Sequence, residues 1–202
     1  MPAELHTRRL VLRRWRLEDR KPFAELNADA RVMEHFPATL DQATSDALAM
    51  SADEAFDRDG FGLWAVEVAS TGAFIGFAGL AVPRFAAHFT PTVEIGWRLA
   101  RSAWGHGYAT EAATAALEDG FERVQLTEIT SFTAVSNVRS QAVMRRLGMT
   151  HDPADDFDHP SLPAGHPLRR HVLYRIDTAA WRAHRSGVRP APSAPSKRSL
   201  PT

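Results

Sequence analysis

The chain has 202 residues, no cysteine, and 24 basic against 24 acidic side chains, so its formal net charge is zero. This length suits a single domain with a sizeable core, while the balanced charge argues against a nucleic-acid partner and the lack of cysteine excludes disulfides and thiolate chemistry. The first ten residues lack an apolar signal core and the longest apolar run, residues 74–82, is too short to cross a bilayer, so we expect a cytoplasmic protein with no membrane partner.

Hydrophobic periodicity and turn residues divide the chain into ten elements. In chain order they are a strand (8–15), one or two helices (17–36), a helix (39–60), two strands joined by a turn (61–68 and 74–82), a strand (92–99), a helix (about 109–121), a strand (126–134), a helix (137–148) and a strand (169–176).

Short polar residues and glycines mark the predicted ends of the helices. Asp19 is placed as a cap, Thr39 and Gln42 as a capping box, and Gly60 and Gly148 as stops. The order βααβββαβαβ predicts an α+β or mixed α/β fold around one central sheet. Within it, residues 93–133 are expected to form a right-handed parallel crossover.

Two further segments are predicted to be irregular. Residues 152–168 are rich in proline, aspartate and histidine and are expected to form a long loop. Residues 186–202 contain four prolines and several serines, which is typical of a disordered extension. We therefore expect one domain over residues 1–185, followed by a tail.

The stretch RSAWGHGYATEAATAAL, residues 101–117, places two glycines before an alanine-rich helix. A helix that begins near Ala109 leaves its first N–H groups free and carries partial positive charge there. Gly105 and Gly107 would let an anion approach the backbone, so the stretch predicts a phosphate cradle. A tight turn without a ligand explains the glycines as well. A dinucleotide fingerprint would need a small residue where Thr110 stands, and the lysine of a P-loop is absent.

Two motifs extend this interpretation. The segment EIGWRLARSAWGHGYATEA, residues 94–112, resembles the acetyl-CoA site of the GNAT superfamily of N-acetyltransferases, close to the RimJ/RimL subgroup. The segment NVRSQAVMRRLGM, residues 137–149, is similar to the family's N-x-x-S-x-x-x-x-x-x-L-G-F/M helix. The resemblance covers about residues 6–178. It implies a GNAT-like mixed sheet, flanked by helices, whose fourth and fifth strands are parallel and splay apart.

The resemblance also implies an activity. It predicts direct transfer of an acetyl group from acetyl-CoA to a primary amine in a ternary complex, with no metal. The acceptor would be a protein N-terminus, as in the RimJ/RimL subgroup, or a small-molecule amine, and the protein a monomer or homodimer. A non-catalytic CoA-binding or regulatory module of the same fold, or a transferase of a longer acyl group, are the alternatives.

The motifs carry the implied cofactor contacts. They are Trp97, Arg98, Leu99, Trp104, Gly105, His106, Gly107, Tyr108, Ala109, Thr110, Asn137 and Ser140. Backbone groups at Leu99 and its neighbours would bond the pantetheine arm by strand addition. Asn137 would bond the pantetheine or the phosphates, cap its own helix, or do both. At least one of four arginines would face the phosphates: Arg101, Arg139, Arg145 and Arg146.

Acetyl transfer needs a base for the amine and benefits from an acid for the leaving thiolate. Alternation along the strand places Glu94, Gly96 and Arg98 on one face, and Glu94 is the predicted base. A solvated residue, or a partner of Arg98, is the other interpretation of Glu94. Met144 stands where many family members have a tyrosine and cannot donate a proton. Ser140 is then the remaining acid, unless it only bonds the cofactor or the thiolate leaves unassisted.

Histidines and aromatic residues are predicted to surround the acceptor. The loop with His151, His159, His166 and His171 lacks the spacing of a metal site, so we expect it to edge the acceptor pocket. His159 or His171 would bind or deprotonate the amine there. Four further residues are predicted to line the pocket mouth, with ordinary core packing as the alternative, above all for the tryptophan: Met33, Phe36, Trp64 and Phe85.

Overall fold

A computed structural model describes residues 4–187, which form one mixed sheet flanked by five α-helices. The strands and α-helices are β1 (Glu4–His6), β2 (Leu10–Arg13), α1 (Arg20–Ala28), α2 (Gln42–Asp59), β3 (Leu63–Val68), β4 (Ala73–Ala81), β5 (Glu94–Leu99), α3 (Tyr108–Glu118), β6 (Glu128–Ala134), α4 (Val138–Arg146), β7 (Thr150–His151), β8 (Phe157–Asp158), β9 (Arg170–Asp177) and α5 (Thr178–Arg185).

The sheet has the strand order β1-β2-β3-β4-β5-β6-β9-β7, and β8 also pairs with β9. Neighbouring strands are antiparallel except β5 and β6, which are parallel. The predicted mixed sheet, the β3–β4 hairpin and the parallel crossover are thereby confirmed. The short strand β1 was not predicted, so the family's fourth and fifth strands are β5 and β6 of this chain.

Strands β5 and β6 touch at one end only. Their register contains a single pair, Glu94 with Thr130, where the Thr130 N–H donates to the Val93 carbonyl at 2.9 Å. One residue further, the Ser131 hydroxyl donates to the Ile95 carbonyl at 2.9 Å. Beyond that point the strands pair no longer, which opens a cleft in the middle of the sheet.

Helix α3 lies against β4 and β5. The side chains it turns toward the sheet are methyl groups: Ala113 and Ala116 are almost fully buried in the cluster that contains Ile95, and Ala112 in the one that contains Leu99. Small side chains let a helix backbone approach a sheet closely, so the alanine run holds the start of α3 next to the end of β5. A wider helical turn over Asp119–Arg123 then ends the segment, close to the predicted end near Phe121.

The predicted helix ends need two corrections. Helix α2 is capped by Asp41, whose carboxylate accepts from the Thr44 N–H at 2.8 Å, so the capping box at Thr39 and Gln42 is wrong. The stop at Gly60 is confirmed, with a left-handed φ of 76°. Asp19 precedes α1, but its carboxylate makes no cap bond.

The carboxylate of Asp19 instead forms a buried ion pair with Arg13, at 2.7 and 2.8 Å. This pair joins β2 to the start of α1. Only one regular helix, α1, forms in the predicted stretch 17–36, and residues 29–41 run as irregular turns toward the open end of the β5–β6 cleft.

The C-terminal part contains one helix that was not predicted. Asp177 accepts from the Ala180 N–H at 2.7 Å and starts α5, whose Trp181 packs on Phe121. The loop 152–168 is mostly irregular, as predicted, apart from β8 and a short 3-10 turn. Of the predicted tail, residues 188–202 lie outside the described part of the chain. No helix within residues 4–187 combines the length and apolar character needed to cross a membrane.

Candidate active site

The β5–β6 cleft opens into a cavity of about 1320 Å³. Its walls come from β5, β6, the start of α3, α4, the turns at residues 31–37, and the loop after β8. The sequence-predicted residues that line it are Phe36, Glu94, Trp97, Arg98, Leu99, Trp104, Gly105, Gly107, Tyr108, Ala109, Thr110, Asn137, Ser140, His159 and His171.

The start of α3 presents free amides to this cavity. Gly105 and Gly107 adopt left-handed φ values of 80° and 79°, which glycine reaches at little cost. Helix α3 begins at Tyr108 with no side-chain cap, and its first backbone bond runs from the Glu111 N–H to the Gly107 carbonyl at 3.1 Å. The amides of residues 108–110 therefore have no acceptor within the described chain, and this end of the cavity fits a phosphate group.

Trp104 ties the glycine loop to β5. Its indole N–H donates to the Leu99 carbonyl at 2.9 Å, and the Arg139 guanidinium lies 4.8 Å from the centre of its ring. The Leu99 carbonyl, which the sequence assigned to strand addition, thus accepts a bond inside the protein. Carbonyls of alternate residues point to the same side of a strand, so the N–H and carbonyl of Trp97 face the cleft.

Asn137 is the cap of α4, as one interpretation of the sequence had it. Its side-chain oxygen accepts from the Ser140 N–H at 3.1 Å, and its amide donates to the hydroxyls of Thr133 at 2.9 Å and Ser140 at 3.0 Å. Both amide protons are thus used inside the protein. Since the Ser140 oxygen accepts one of them, its own proton is free to point into the cavity.

Glu94 stands on the wall of the cavity without a partner. Its carboxylate makes no hydrogen bond or ion pair with any side chain or backbone amide of residues 4–187. Burial raises the pKa of this carboxyl to about 7. A group that exchanges its proton near neutral pH is suited to accept a proton from an amine.

The two tyrosines occupy different places relative to the cavity. Tyr174 accepts from Arg145 at 3.1 Å and stacks on His151, away from the cavity. Tyr108 lines the cavity at the first position of α3, with the exposed His106 stacked on it at 5.4 Å. His106 itself is not part of the cavity wall. Met144 is 1% exposed, packs in the core and forms part of the cavity wall.

His159 and His171 lie side by side in the wall, with ring centroids 5.0 Å apart. Burial lowers the pKa of both imidazoles, so both are neutral at pH 7. Phe85 does not line the cavity. It packs 4.6 Å behind His159 and belongs to an aromatic cluster with Phe89, Phe132 and Phe157.

The other predicted mouth residues occupy different places. Phe36 lines the cavity and is 38% exposed. Met33 is buried among the turns that form the wall, and only its neighbours reach the cavity. Trp64 is 2% exposed and packs on Phe56 at 4.3 Å between β3 and α2. The cavity is therefore not lined by Trp64, because its ring faces the core.

The four predicted phosphate arginines divide into two pairs. Arg139 and Arg146 line the cavity. Arg101 is exposed outside it, and Arg145 turns toward Tyr174. The two arginines of this set that reach the cavity thus both come from α4.

Glu111 has a structural role that the sequence motif alone did not reveal. Its carboxylate accepts from the Thr7 hydroxyl at 2.7 Å, the Arg9 N–H at 2.9 Å and the Arg9 side chain at 2.7 Å. Although partial burial opposes ionisation, these bonds lower the pKa of the carboxyl. The motif glutamate therefore fastens the β1–β2 turn to the start of α3.

We expect Glu111→Gln to lower the free energy of unfolding by about 1–3 kcal/mol, the usual worth of charge-assisted hydrogen bonds. Urea unfolding at pH 7 measures this. The loss should shrink as the pH falls below the ordinary glutamate pKa, because the wild-type carboxyl is then also neutral. Glu118→Gln is the matched control, an exposed glutamate on the same helix paired with Arg185. Equal losses in the two variants would contradict the role of Glu111.

Comparison with known proteins decides the family. Residues 9–150 match the family described as "Acetyltransferase (GNAT) domain". The chain belongs to the GNAT acetyltransferase family. The matched range runs from β2 to the start of β7, so it contains β5, β6, the glycine loop and α4.

Several relatives of this GNAT protein are similar over most of its length. It is 34% identical over 185 residues to the FsC-acetyl coenzyme A-N(2)-transacetylase of Aspergillus fumigatus, covering 88% of this chain and 77% of that protein. The match with YkkB of Bacillus subtilis, 39% identical over 90 residues, spans about half of each protein, 45% and 51%.

Solved structures share the fold. An acetyltransferase from Agrobacterium tumefaciens is 28% identical with a TM-score of 0.70, covering 87% of this chain and 94% of the other. RimJ of Mycobacterium smegmatis, in complex with CoA-disulfide, is 24% identical with a TM-score of 0.65, covering 88% and 89%. These likenesses confirm the GNAT fold predicted from the two motifs.

Proposed function

We propose that this GNAT protein transfers an acetyl group from acetyl-CoA directly to a primary amine. The observation that carries the proposal is the shape of the β5–β6 cleft, which has free helix amides at one end and the unpartnered Glu94 carboxylate at the other. Amides of residues 108–110 and the α4 arginines would hold the pyrophosphate, and the free backbone groups of Trp97 would bond the pantetheine arm.

The residues on the wall have distinct tasks in this transfer. Glu94 takes a proton from the incoming ammonium, directly or through a water, and so frees the lone pair of the nitrogen. The C–N bond forms as the C–S bond breaks. Ser140 passes its hydroxyl proton to the departing sulfur and regains a proton from the acetylated nitrogen, which thereby becomes the neutral amide. Met144 cannot do this, so the transfer relies on Ser140 or on unassisted departure of the thiolate.

Two observations bear on the chemical class of the acceptor amine. The motifs place the chain near the RimJ/RimL subgroup, which favours a protein N-terminus. The name of the Aspergillus relative favours a small-molecule amine. The neutral His159 and His171 and the aromatic Phe36 would bound the acceptor, since they line the same cavity as Glu94.

Binding and turnover test the proposal separately. Acetyl-CoA at a hundred times its Kd stabilises a protein by about 2.7 kcal/mol, so we expect the melting temperature to rise by about 5–10 °C. We also expect free CoA thiol to appear in equal amount to acetylated amine. A protein that melts unchanged in millimolar acetyl-CoA is not a CoA-dependent transferase. Stabilisation without thiol release on any amine would favour a binding module, and faster release from butyryl-CoA would favour a longer acyl group.

A further inference from the structure

The side chain of Arg98 is held inside the cavity wall. It lies on the same face of β5 as Glu94, whereas its backbone pairs with Phe77 of β4. Its Nη1 donates to the side-chain oxygen of Asn27 at 2.7 Å, and the Phe36 and Phe77 rings flank the guanidinium at 4.1 and 5.4 Å. This cation is packed among protein groups instead of extending into water.

No carboxylate of residues 4–187 balances the charge of Arg98. Its only side-chain partner in that range is the neutral amide of Asn27, and its Nε is buried without any hydrogen bond. The nearby Glu34 is engaged elsewhere, with Arg139 at 3.6 Å and His35 at 3.4 Å. Buried guanidinium groups without a counter-charge are rare because desolvation disfavours them.

The free part of the guanidinium has a defined shape. Nη1 donates one proton to Asn27 and Nε is enclosed by protein atoms, so the guanidinium can offer a ligand Nη2 and the second proton of Nη1. Arginine binds carboxylates through such a pair of donors. The single charge of the guanidinium balances one carboxylate, whereas a doubly charged phosphate would leave a net negative charge at this wall.

Glu94 and Arg98 complete the pattern. One unpartnered acid and one uncompensated cation share a strand face, with their Cα atoms about 13 Å apart at the usual rise per residue. An acceptor with an ammonium at one end and an anion at the other would satisfy both. We propose that Arg98 binds a carboxylate of the acceptor, so that the substrate class is an amine whose carboxylate lies about 10 Å from the reacting nitrogen, as in a tripeptide.

This inference rests on the proposed acetyl transfer, and peptides of graded length test it. With acetyl-CoA as donor, we expect trialanine to exceed trialanine amide in kcat/KM by about ten- to a hundredfold, the usual worth of charge-assisted hydrogen bonds. The two peptides differ only in the C-terminal charge. Dialanine and tetraalanine, each compared with its own amide, should show a smaller preference because their carboxylates fall short of Arg98 or beyond it.

Variants test whether the Arg98 side chain causes the preference for trialanine over its amide. Arg98→Met should bring the ratio between trialanine and its amide close to one, and Arg98→Lys should keep part of it because the charge remains. Arg58→Gln removes an exposed arginine that pairs with Asp59 at the end of α2 and should keep the full ratio. Circular dichroism checks that each variant is folded.

A direct binding measurement keeps the two proposals apart. The Kd values of N-acetyl-trialanine and its amide, measured by calorimetry in the presence of CoA, need no turnover. Loss of thiol release with every amine would overturn the acetyl transfer. Equal Kd values for the two peptides, wild-type ratios within twofold, or an unchanged ratio in Arg98→Met would each overturn the role of Arg98.

Discussion

Gly107→Val is expected to raise the Kd for acetyl-CoA at least a hundredfold while the domain stays folded. Gly107 has a φ of 79°, and an added Cβ would contact only Nη2 of Arg9, at 3.5 Å. The left-handed φ disfavours a branched side chain, so valine should shift the loop that positions the free amides of residues 108–110, where the pyrophosphate would sit. Two lost charge-assisted hydrogen bonds are worth about 3 kcal/mol or more, which corresponds to a hundredfold in Kd.

A matched variant separates strain from ligand exclusion. Gly60→Val meets the same backbone conformation, with a φ of 76° and no atom within 4 Å of an added Cβ, but it lies at the end of α2 outside the cavity. Both variants should lose at least about 1 kcal/mol of stability because the left-handed region disfavours a side chain. Calorimetric titration with acetyl-CoA should distinguish them. Unchanged affinity in Gly107→Val would refute our placement of the phosphates.

Glu94→Gln is expected to reduce kcat about a hundred- to a thousandfold, the usual contribution of a positioned base. In the wild type, kcat/KM should rise with pH and level off above about pH 7, because burial raises the pKa of the Glu94 carboxyl to about 7. In Glu94→Gln, kcat/KM should not show this rise with pH. Glu54→Gln, an exposed glutamate on α2, is the control and should keep the wild-type profile. Full activity in Glu94→Gln would show that Glu94 is not the base, and the neutral His171 would be the next residue to test.

The same substitution should change stability in a pH-dependent direction. The folded protein holds the Glu94 proton up to about pH 7, whereas the unfolded chain releases it near the ordinary 4.5. Wild-type stability should therefore fall relative to Glu94→Gln between these pH values. Above pH 7 the variant should be more stable by about 1–2 kcal/mol, since the carboxyl is only partly removed from water. Urea unfolding at pH 4.5 and pH 8 measures the difference.

Local chemistry explains why much of this molecule is predictable from its sequence. The glycines before α3, the alanines along it and the stop at Gly60 depend on backbone conformation and side-chain size, which neighbouring residues determine. Strand alternation already placed Glu94 and Arg98 on one face. Two motifs that lie apart in the sequence then predicted the GNAT family. They contain residues that are required where a strand ends or a helix begins.

Other features depend on how separate elements pack together, and only the tertiary structure decided them. Asp19 resembled a helix cap until the fold brought Arg13 beside it, since a buried ion pair outweighs a cap bond. Glu111 belongs to the motif that resembles the acetyl-CoA site and had no role assigned from the sequence, and a turn about a hundred residues away holds its carboxylate. Trp64 faces the core because α2 covers it. The unbalanced charge of Arg98 depends on which carboxylates fold within reach, and periodicity within one strand contains no information about that.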